Sequence, residues 1–167
     1  TKITLLKYFK KFIKTLVADF VRLISKTKIG AYGCEQVLNT AMQVTQSVKH
    51  GQTELVFTVP NQLNRFRINT FSSKEPETLE WIDSIPEGTV LWDVGANVGL
   101  YSCYAAKSRH CRVFSFEPSV FNLELLARNI FINDRVDRVT IVPLPLSDSV
   151  HVNTLNMTNT DWGGALS

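Results

Sequence analysis

The sequence predicts an α/β fold: a doubly wound parallel sheet that begins near residue 89 and follows an N-terminal extension. Two observations predict it. Short apolar runs suited to strands alternate with longer segments of helical spacing between residues 89 and 148. The first of these runs ends at a turn that contains two glycines, and the next ends in a carboxylate. This alternation is typical of parallel strands joined by right-handed helical crossovers.

Residues 1–28 are predicted to form an amphipathic helix. One face is basic, and the apolar residues recur on the other at helical spacing: Leu5, Leu6, Phe9, Phe12, Ile13, Leu16, Phe20, Leu23 and Ile24. The segment carries eight Lys or Arg residues and a single acid, Asp19, so its net charge is +7, whereas the rest of the chain carries −4. Lysines interrupt every apolar run, so the pattern excludes a transmembrane span or the core of a signal peptide.

Two interpretations of this helix stay open. Its apolar face could pack on the rest of the protein or on a partner, as the apolar faces of most amphipathic helices do. Alternatively, residues 1–28 lie on an anionic membrane surface, with Lys7, Lys10, Lys11 and Lys14 directed toward the lipid headgroups.

The next elements are predicted from turn residues and spacing. The first helix is expected to stop around Gly30 to Gly33, and residues 34–50 read as a weaker helix or connector ended by Gly51. Residues 54–59 and 64–71 alternate in polarity and are predicted to form a β-hairpin. We therefore divide the chain into an amphipathic helical extension, residues 1–50, and a second domain, residues 51–167. A helix over 75–85 is expected to place Leu79, Ile82 and Trp81 on its inner face.

The alternating part begins at residue 89. We predict strands over 89–95, 112–118 and 139–148, helices over 100–109 and 119–134, a further strand or hairpin over 149–157, and a glycine-rich loop after it. Three strands would leave the apolar run of residues 90–94 at a sheet edge, which folded proteins avoid. The chain is therefore expected to be the front part of a longer domain, with further strands after Ser167.

The turn between the first strand and the first helix is the main candidate site. It runs from Asp93 through Gly95, Ala96 and Asn97 to Gly99. Glycines allow a sharp turn and a close approach of the backbone to a ligand, while helix N–H groups point toward it. The spacing is GxxxG, so the second glycine of the dinucleotide fingerprint GxGxxG is missing and a pyrophosphate fits poorly.

Acidic residues follow the other predicted strands. Glu117 stands 22 residues after Gly95, the spacing at which a carboxylate accepts the hydroxyls of a ribose. With Asp93 and Asp148 at neighbouring strand ends, three carboxylates are expected to face one crevice. Such a crevice suits a cationic nucleoside, S-adenosylmethionine: Asp93 near its ammonium group, Glu117 at the ribose, and Ser147 or Asp148 beside the adenine.

Three segments of the chain resemble the FkbM-type methyltransferases, a branch of the class I S-adenosylmethionine-dependent enzymes. They are EPETLEWIDSIPEGTVLWDVGANVGLYS, VFSFEPSVFNLELLARNIFIND and IVPLPLSD, and the resemblance covers residues 54–167. It implies a Rossmann-like methyltransferase fold and O-methylation of a hydroxyl on a sugar or other small-molecule acceptor. The C-terminal half of the family's domain, where a further acidic motif and most acceptor contacts are expected, has no counterpart in this sequence.

Other functions remain in play. One is an NAD-dependent oxidoreductase, against which the GxxxG spacing argues, and another is a non-catalytic, membrane-associated binding module. Nucleic acid is a less favoured partner, since residues 29–167 are acidic. The sequence gives no indication of oligomeric state.

Candidate catalytic and metal-binding side chains are few. The residues His50, His110 and His151 lie far apart, no metal-ligand spacing is present, and no general base is assigned. The three cysteines lack CxxC spacing and are interpreted as reduced thiols of a cytoplasmic protein. Residues 162–164, Trp-Gly-Gly, form either an ordinary turn or a lid over the acceptor if they fold toward Gly95.

Overall fold

The computed structural model describes residues 2–149, 155 and 159–164, and it divides the chain into two compact units, residues 1–42 and 43–167. The boundary expected between residues 50 and 51 falls in a hairpin turn inside the second unit, so the strand before that turn belongs with the second unit.

The first unit consists of two helices, α1 (Lys2–Ile24) and α2 (Lys28–Ala41). The predicted amphipathic helix is present, but the expected stop at Gly30 to Gly33 is wrong, because both glycines lie inside α2. The chain turns earlier, where the Thr27 side chain caps α2 by accepting a hydrogen bond from the Gly30 amide at 3.0 Å. A Cβ atom on Gly30 would lie 2.0 Å from the Ile24 carbonyl oxygen, so this tight turn requires glycine.

The apolar face of α1 is exposed along its length. The large apolar side chains concerned are Leu5, Leu6, Phe9, Phe12, Ile13, Leu16, Phe20 and Leu23. Among the helices that the structure describes, none combines the length and apolarity needed to cross a bilayer.

The second unit begins with an antiparallel hairpin of β1 (Thr45–His50) and β2 (Thr53–Thr58), which turns at Gly51. The sequence prediction paired residues 54–59 with 64–71, and this is wrong for the second segment. That segment is helix α3 (Gln62–Asn69), because the Asn61 side chain caps it by accepting a hydrogen bond from the Asn64 amide at 2.9 Å.

Two further helices lead to the sheet, α4 (Phe71–Lys74) and α5 (Pro76–Ser84). Pro76 occupies the first turn of α5, where its missing N–H costs nothing. Leu79 and Ile82 are buried as predicted, but Trp81 is 55% exposed and does not belong to the inner face.

A parallel three-stranded sheet forms the centre of the second unit and confirms the predicted α/β class. Its strands lie in the order β3-β4-β5 and are joined by two helices. The elements are β3 (Val90–Val94), α6 (Leu100–Ser108), β4 (Arg112–Phe116), α7 (Val120–Ile132) and β5 (Val139–Val142). The third strand ends well before the predicted residue 148, because Pro143 and Pro145 lack the N–H that would continue the ladder.

The two faces of the sheet differ in their environment. Leu91 and Val113 are buried in the core, while Val90, Trp92 and Val94 on the alternate positions of β3 are exposed. Among the described residues, β3 pairs with β4 alone.

Two buried asparagines, Asn129 on α7 and Asn133 directly after it, attach the hairpin to the rest of the second unit. The Asn129 side chain accepts a hydrogen bond from the Thr58 amide and donates one to the Val98 carbonyl oxygen, both at 2.8 Å. One turn later, Asn133 accepts from the Val56 amide at 3.0 Å and donates to the Val56 carbonyl at 2.7 Å. The side-chain amides thus form hydrogen bonds with backbone N–H and C=O groups of β2, as a neighbouring strand would.

We expect Asn129→Ala to lower the free energy of unfolding of the second unit by about 3 kcal/mol, because the buried Thr58 N–H and Val98 C=O both lose their partner. Urea unfolding followed by tryptophan fluorescence measures this, since all three tryptophans lie in the second unit. The control, Arg128→Ala, removes an exposed ion pair with Glu124 and should cost less than about 1 kcal/mol. Equal losses in the two variants would contradict the role given to Asn129.

Candidate functional site

The turn after β3 has the backbone geometry expected of a ligand-binding turn. Gly95, Asn97 and Gly99 have positive φ angles of 78°, 50° and 83°. The amides of Gly95 and Ala96 donate to the Phe116 carbonyl oxygen at 2.9 and 3.0 Å, which fixes the turn against the end of β4. A Cβ atom on Gly95 would meet no atom within 4 Å, so open space faces this glycine.

Glu117 connects the turns that follow β3 and β4. Its carboxylate is 3% exposed; Oε2 accepts a hydrogen bond from the Asn97 amide and Oε1 accepts one from the Ser119 amide, both at 2.8 Å. The predicted proximity of Glu117 to the glycine turn is therefore observed. Each carboxylate oxygen has about two lone-pair sites, so each can accept one further hydrogen bond from a hydroxyl group.

Asp93 lies at the end of β3 beside the same turn. The Ser102 hydroxyl donates to Asp93 Oδ2 at 2.5 Å, and Ser102 Oγ lies 2.6 Å from Ser115 Oγ. Burial raises the pKa of Asp93, and the negative charge of Glu117 raises it further, while the hydrogen bonds from Ser102 oppose the shift. Two of the three predicted carboxylates are thus close enough to interact.

The third carboxylate, Asp148, makes local contacts among the described residues. Asp148 and Ser147 are exposed on the segment after β5, where the Ser147 hydroxyl donates to Asp148 Oδ1 at 3.3 Å. Among the contacts of the described residues, none joins either side chain to Gly95 or Glu117. His151 and most of the strand or hairpin predicted over 149–157 lie outside the described residues.

The described segment 159–164, here called the WGG segment after Trp162, Gly163 and Gly164, lies against the glycine turn. The Gly164 carbonyl oxygen accepts hydrogen bonds from Asn97 Nδ2 at 3.1 Å and Asn122 Nδ2 at 3.0 Å. The segment thus folds toward the turn, the condition under which the sequence interpretation favoured a lid.

Polar side chains of α3 and its cap hold the other end of the WGG segment. The Trp162 carbonyl oxygen accepts from Asn61 Nδ2 at 3.0 Å and Asn64 Nδ2 at 2.8 Å, and Arg67 Nη2 donates to the Gly163 carbonyl oxygen at 2.5 Å. The sequence reasoning missed Asn61, Asn64, Arg67 and Asn122. The sequence prediction places Asn64 and Arg67 in a strand and Asn61 in the turn before it, rather than in a capped helix, so it does not bring these three side chains together.

Three polar atoms around this segment are buried and have no hydrogen-bond partner among the described residues: Asn64 Oδ1, Arg67 Nε and Asn97 Oδ1. Unpaired buried polar groups are rare and costly, which is consistent with a ligand or water completing the site.

The cysteines and tyrosines near the site are not poised as nucleophiles or bases. Burial raises the pKa of Cys103 to about 12, so it is a neutral thiol near pH 7. The Tyr101 hydroxyl donates to Glu75 Oε2 at 3.1 Å, and burial raises its pKa, so it is also protonated there.

Comparison with known proteins gives two methyltransferases similar to part of this chain, whereas no family model matches it. Methyltransferase sdnD of Sordaria araneosa is 33% identical over 69 residues, 41% of this chain and 27% of that protein. The hexuronic acid methyltransferase AglP of Haloferax volcanii is 32% identical over 88 residues, 53% of this chain and 34% of that protein. The matched region therefore spans about a third or less of either relative.

Among solved structures, TYW2 of M. jannaschii in complex with AdoMet superposes on 60% of this chain and 43% of its own, with a TM-score of 0.41 and 19% identity.

The raised pKa of Asp93 predicts a pH-dependent effect of Asp93→Asn on stability. The native state favours the neutral acid, so wild type loses stability relative to the variant as pH rises from the ordinary value of 3.8 through the raised native pKa. We expect the stability of Asp93→Asn relative to wild type to increase as pH rises from 3.8 toward 7, and to become independent of pH well below 3.8, where Asp93 is neutral in both states. Urea unfolding of the ligand-free proteins across this range tests it, with the exposed Asp137→Asn as control. A difference independent of pH would contradict the prediction.

Proposed function

We propose that the protein is an S-adenosylmethionine-dependent methyltransferase that methylates a hydroxyl group of a small molecule, as the FkbM-type resemblance implies. One observation carries the proposal: the Glu117 carboxylate is fixed beside the glycine turn, 2.8 Å from the Asn97 amide, with Asp93 in electrostatic range and open space at Gly95. The two methyltransferase relatives support it.

The residues at the turn fit this cofactor. Each Glu117 oxygen has one partner among the hydrogen bonds of the described residues and a further lone pair that suits a ribose hydroxyl. Asp93 offers a negative charge for an ammonium group, and Gly95 leaves room for close approach. When bound, the cofactor supplies an electrophilic methyl group on a sulfonium. The task of the protein is then to align an acceptor oxygen with that group, which lowers the barrier through proximity and orientation.

Burial of Glu117 sets a condition on binding. A ribose can reach a side chain that is 3% exposed only if covering atoms move aside.

For the acceptor, we infer a carbohydrate. The support is the relative from Haloferax volcanii, whose name specifies a hexuronic acid. The acidic charge of residues 29–167 disfavours an RNA acceptor.

Isothermal titration of the protein with S-adenosylmethionine, with NAD as the competing cofactor, tests the proposal. We expect the wild type to bind S-adenosylmethionine. Glu117→Gln should weaken binding by about tenfold or more, since a buried hydrogen-bonded carboxylate contributes about 1.5–3 kcal/mol. Gly95→Val should abolish it, because a branched side chain would fill the open space and strain a φ of 78°.

The control for this titration is Glu80→Gln, an exposed acid on α5 that should bind like wild type. Thermal unfolding of each variant separates lost binding from lost folding. A wild type that binds NAD and not S-adenosylmethionine would instead favour the oxidoreductase.

We also propose that α1 lies on the anionic inner face of a membrane. Its apolar side chains are exposed, and Lys7, Lys10, Lys11 and Lys14 line the opposite side, so apolar insertion and attraction to anionic lipid act together. Free cysteines in the described chain support a cytoplasmic location.

Flotation with vesicles tests the membrane proposal. The protein should bind phosphatidylcholine vesicles containing phosphatidylserine and release as salt rises, but bind pure phosphatidylcholine weakly. Phe9→Glu should abolish flotation, because it places a charge on the apolar face, whereas Thr15→Glu makes the same charge change on the flank of the polar side and should retain most of it. Equal loss in both variants, or binding indifferent to anionic lipid, would exclude this orientation.

A further inference from the structure

We propose that Arg67 is the carboxylate-binding residue of the candidate site, and that it pairs with the carboxylate of the methyl donor's amino-acid part. The inference rests on the proposed function and names a residue that neither the sequence motifs nor the relatives identify.

The Arg67 guanidinium has more N–H donors than its hydrogen bonds to the described residues use. A guanidinium carries five N–H donors. Nη2 donates to the Gly163 carbonyl oxygen, while Nε is buried and finds no hydrogen-bond partner in the part of the chain that the structure describes. Burial lowers the pKa of Arg67 and the charges of Glu75 and Glu117 oppose that shift, so the side chain stays cationic.

The position of Arg67 is fixed by its surroundings. It belongs to α3, whose Asn64 and Ile68 are buried, and its contact with Gly163 joins it to the WGG segment. That segment reaches Asn97 of the glycine turn through Gly164. Arg67 is therefore connected to the glycine turn through the WGG segment. These contacts use Nη2 and leave Nε without a partner among the described residues.

The charges around the turn create the need for a cation. Asp93 and Glu117 repel each other electrostatically. A third acid, Glu75, accepts a hydrogen bond from the hydroxyl of Tyr101, two residues beyond Gly99. These acids attract a sulfonium and an ammonium group but repel a carboxylate. The Arg67 guanidinium interacts electrostatically with both Glu75 and Glu117.

A carboxylate in this crevice has two sources. One is the amino-acid part of the methyl donor, and the other is a uronic acid acceptor. A planar guanidinium with free donors recognises either one, so the test has an arm for each.

The donor arm compares S-adenosylmethionine with decarboxylated S-adenosylmethionine, which keeps the ammonium group and lacks only the carboxylate. We expect wild type to bind the complete donor at least about tenfold more tightly, as a charged hydrogen bond implies. Arg67→Gln should remove this preference by weakening the complete donor alone. Arg67→Lys, which keeps the charge without the fork, should restore part of it.

The acceptor arm titrates glucuronate and glucose into the same proteins. Loss of a preference for glucuronate in Arg67→Gln, with the donor preference intact, would assign the carboxylate to the acceptor. Arg65→Gln, an exposed arginine on the same helix, is the matched control and should behave as wild type in both arms. Thermal unfolding verifies that each variant is folded.

The outcomes separate this inference from the proposed function. Unchanged preferences in both arms for Arg67→Gln would overturn the role of Arg67 while leaving the methyltransferase proposal in place. A wild type that binds neither form of the donor would instead remove the proposed function.

Discussion

The candidate site depends on the two hydrogen bonds made by the Glu117 carboxylate. One oxygen holds the Asn97 amide and the other holds the Ser119 amide, so a single side chain fixes both the glycine turn after β3 and the start of α7. The backbone reinforces this link, because the Phe116 carbonyl oxygen receives the Gly95 and Ala96 amides. The parallel register of β3 and β4 places the two turns at the same sheet edge, and Glu117 converts that proximity into a defined geometry.

Buried asparagines extend the same principle outward. An asparagine side chain offers both an acceptor and a donor, so it can pair with a free backbone edge as a strand does. Asn129 and Asn133 do this for β2, and Asn122 does it for the WGG segment. Asn129 also reaches the Val98 carbonyl, so the hairpin, α7 and the glycine turn share one network. An unpaired polar atom in such a network costs stability. The buried Asn97 Oδ1, which has no hydrogen-bond partner among the described residues, therefore marks a position where a ligand could donate a hydrogen bond.

The parts of the fold that the sequence predicts are those with strong local periodicity. The alternation of β3, α6, β4 and α7 and the burial of Leu79 and Ile82 follow from apolar spacing alone, and the contact between Glu117 and the glycine turn follows from parallel topology. The sequence predicts the wrong partner strand for β2, because its true partner β1 is polar and half-exposed and carries no apolar signal. The helix α3 was missed because its capping residue, Asn61, follows Pro60 and reads equally well as a turn. The proximity of Arg67 to the turn depends on the WGG segment, a contact about a hundred residues away in sequence that no local pattern encodes.

The negative charges of the site favour a cationic ligand. Burial disfavours the Asp93 charge, and repulsion from Glu117 adds to that cost, so a negative Asp93 destabilises the site at neutral pH. A cationic ligand relieves this repulsion, and the relief becomes part of its binding free energy. The same acids penalise any negative group on that ligand unless a cation such as Arg67 compensates for it. A zwitterionic group beside a sulfonium satisfies both demands at once, whereas a dinucleotide would bring two phosphate charges into a crevice already lined by carboxylates.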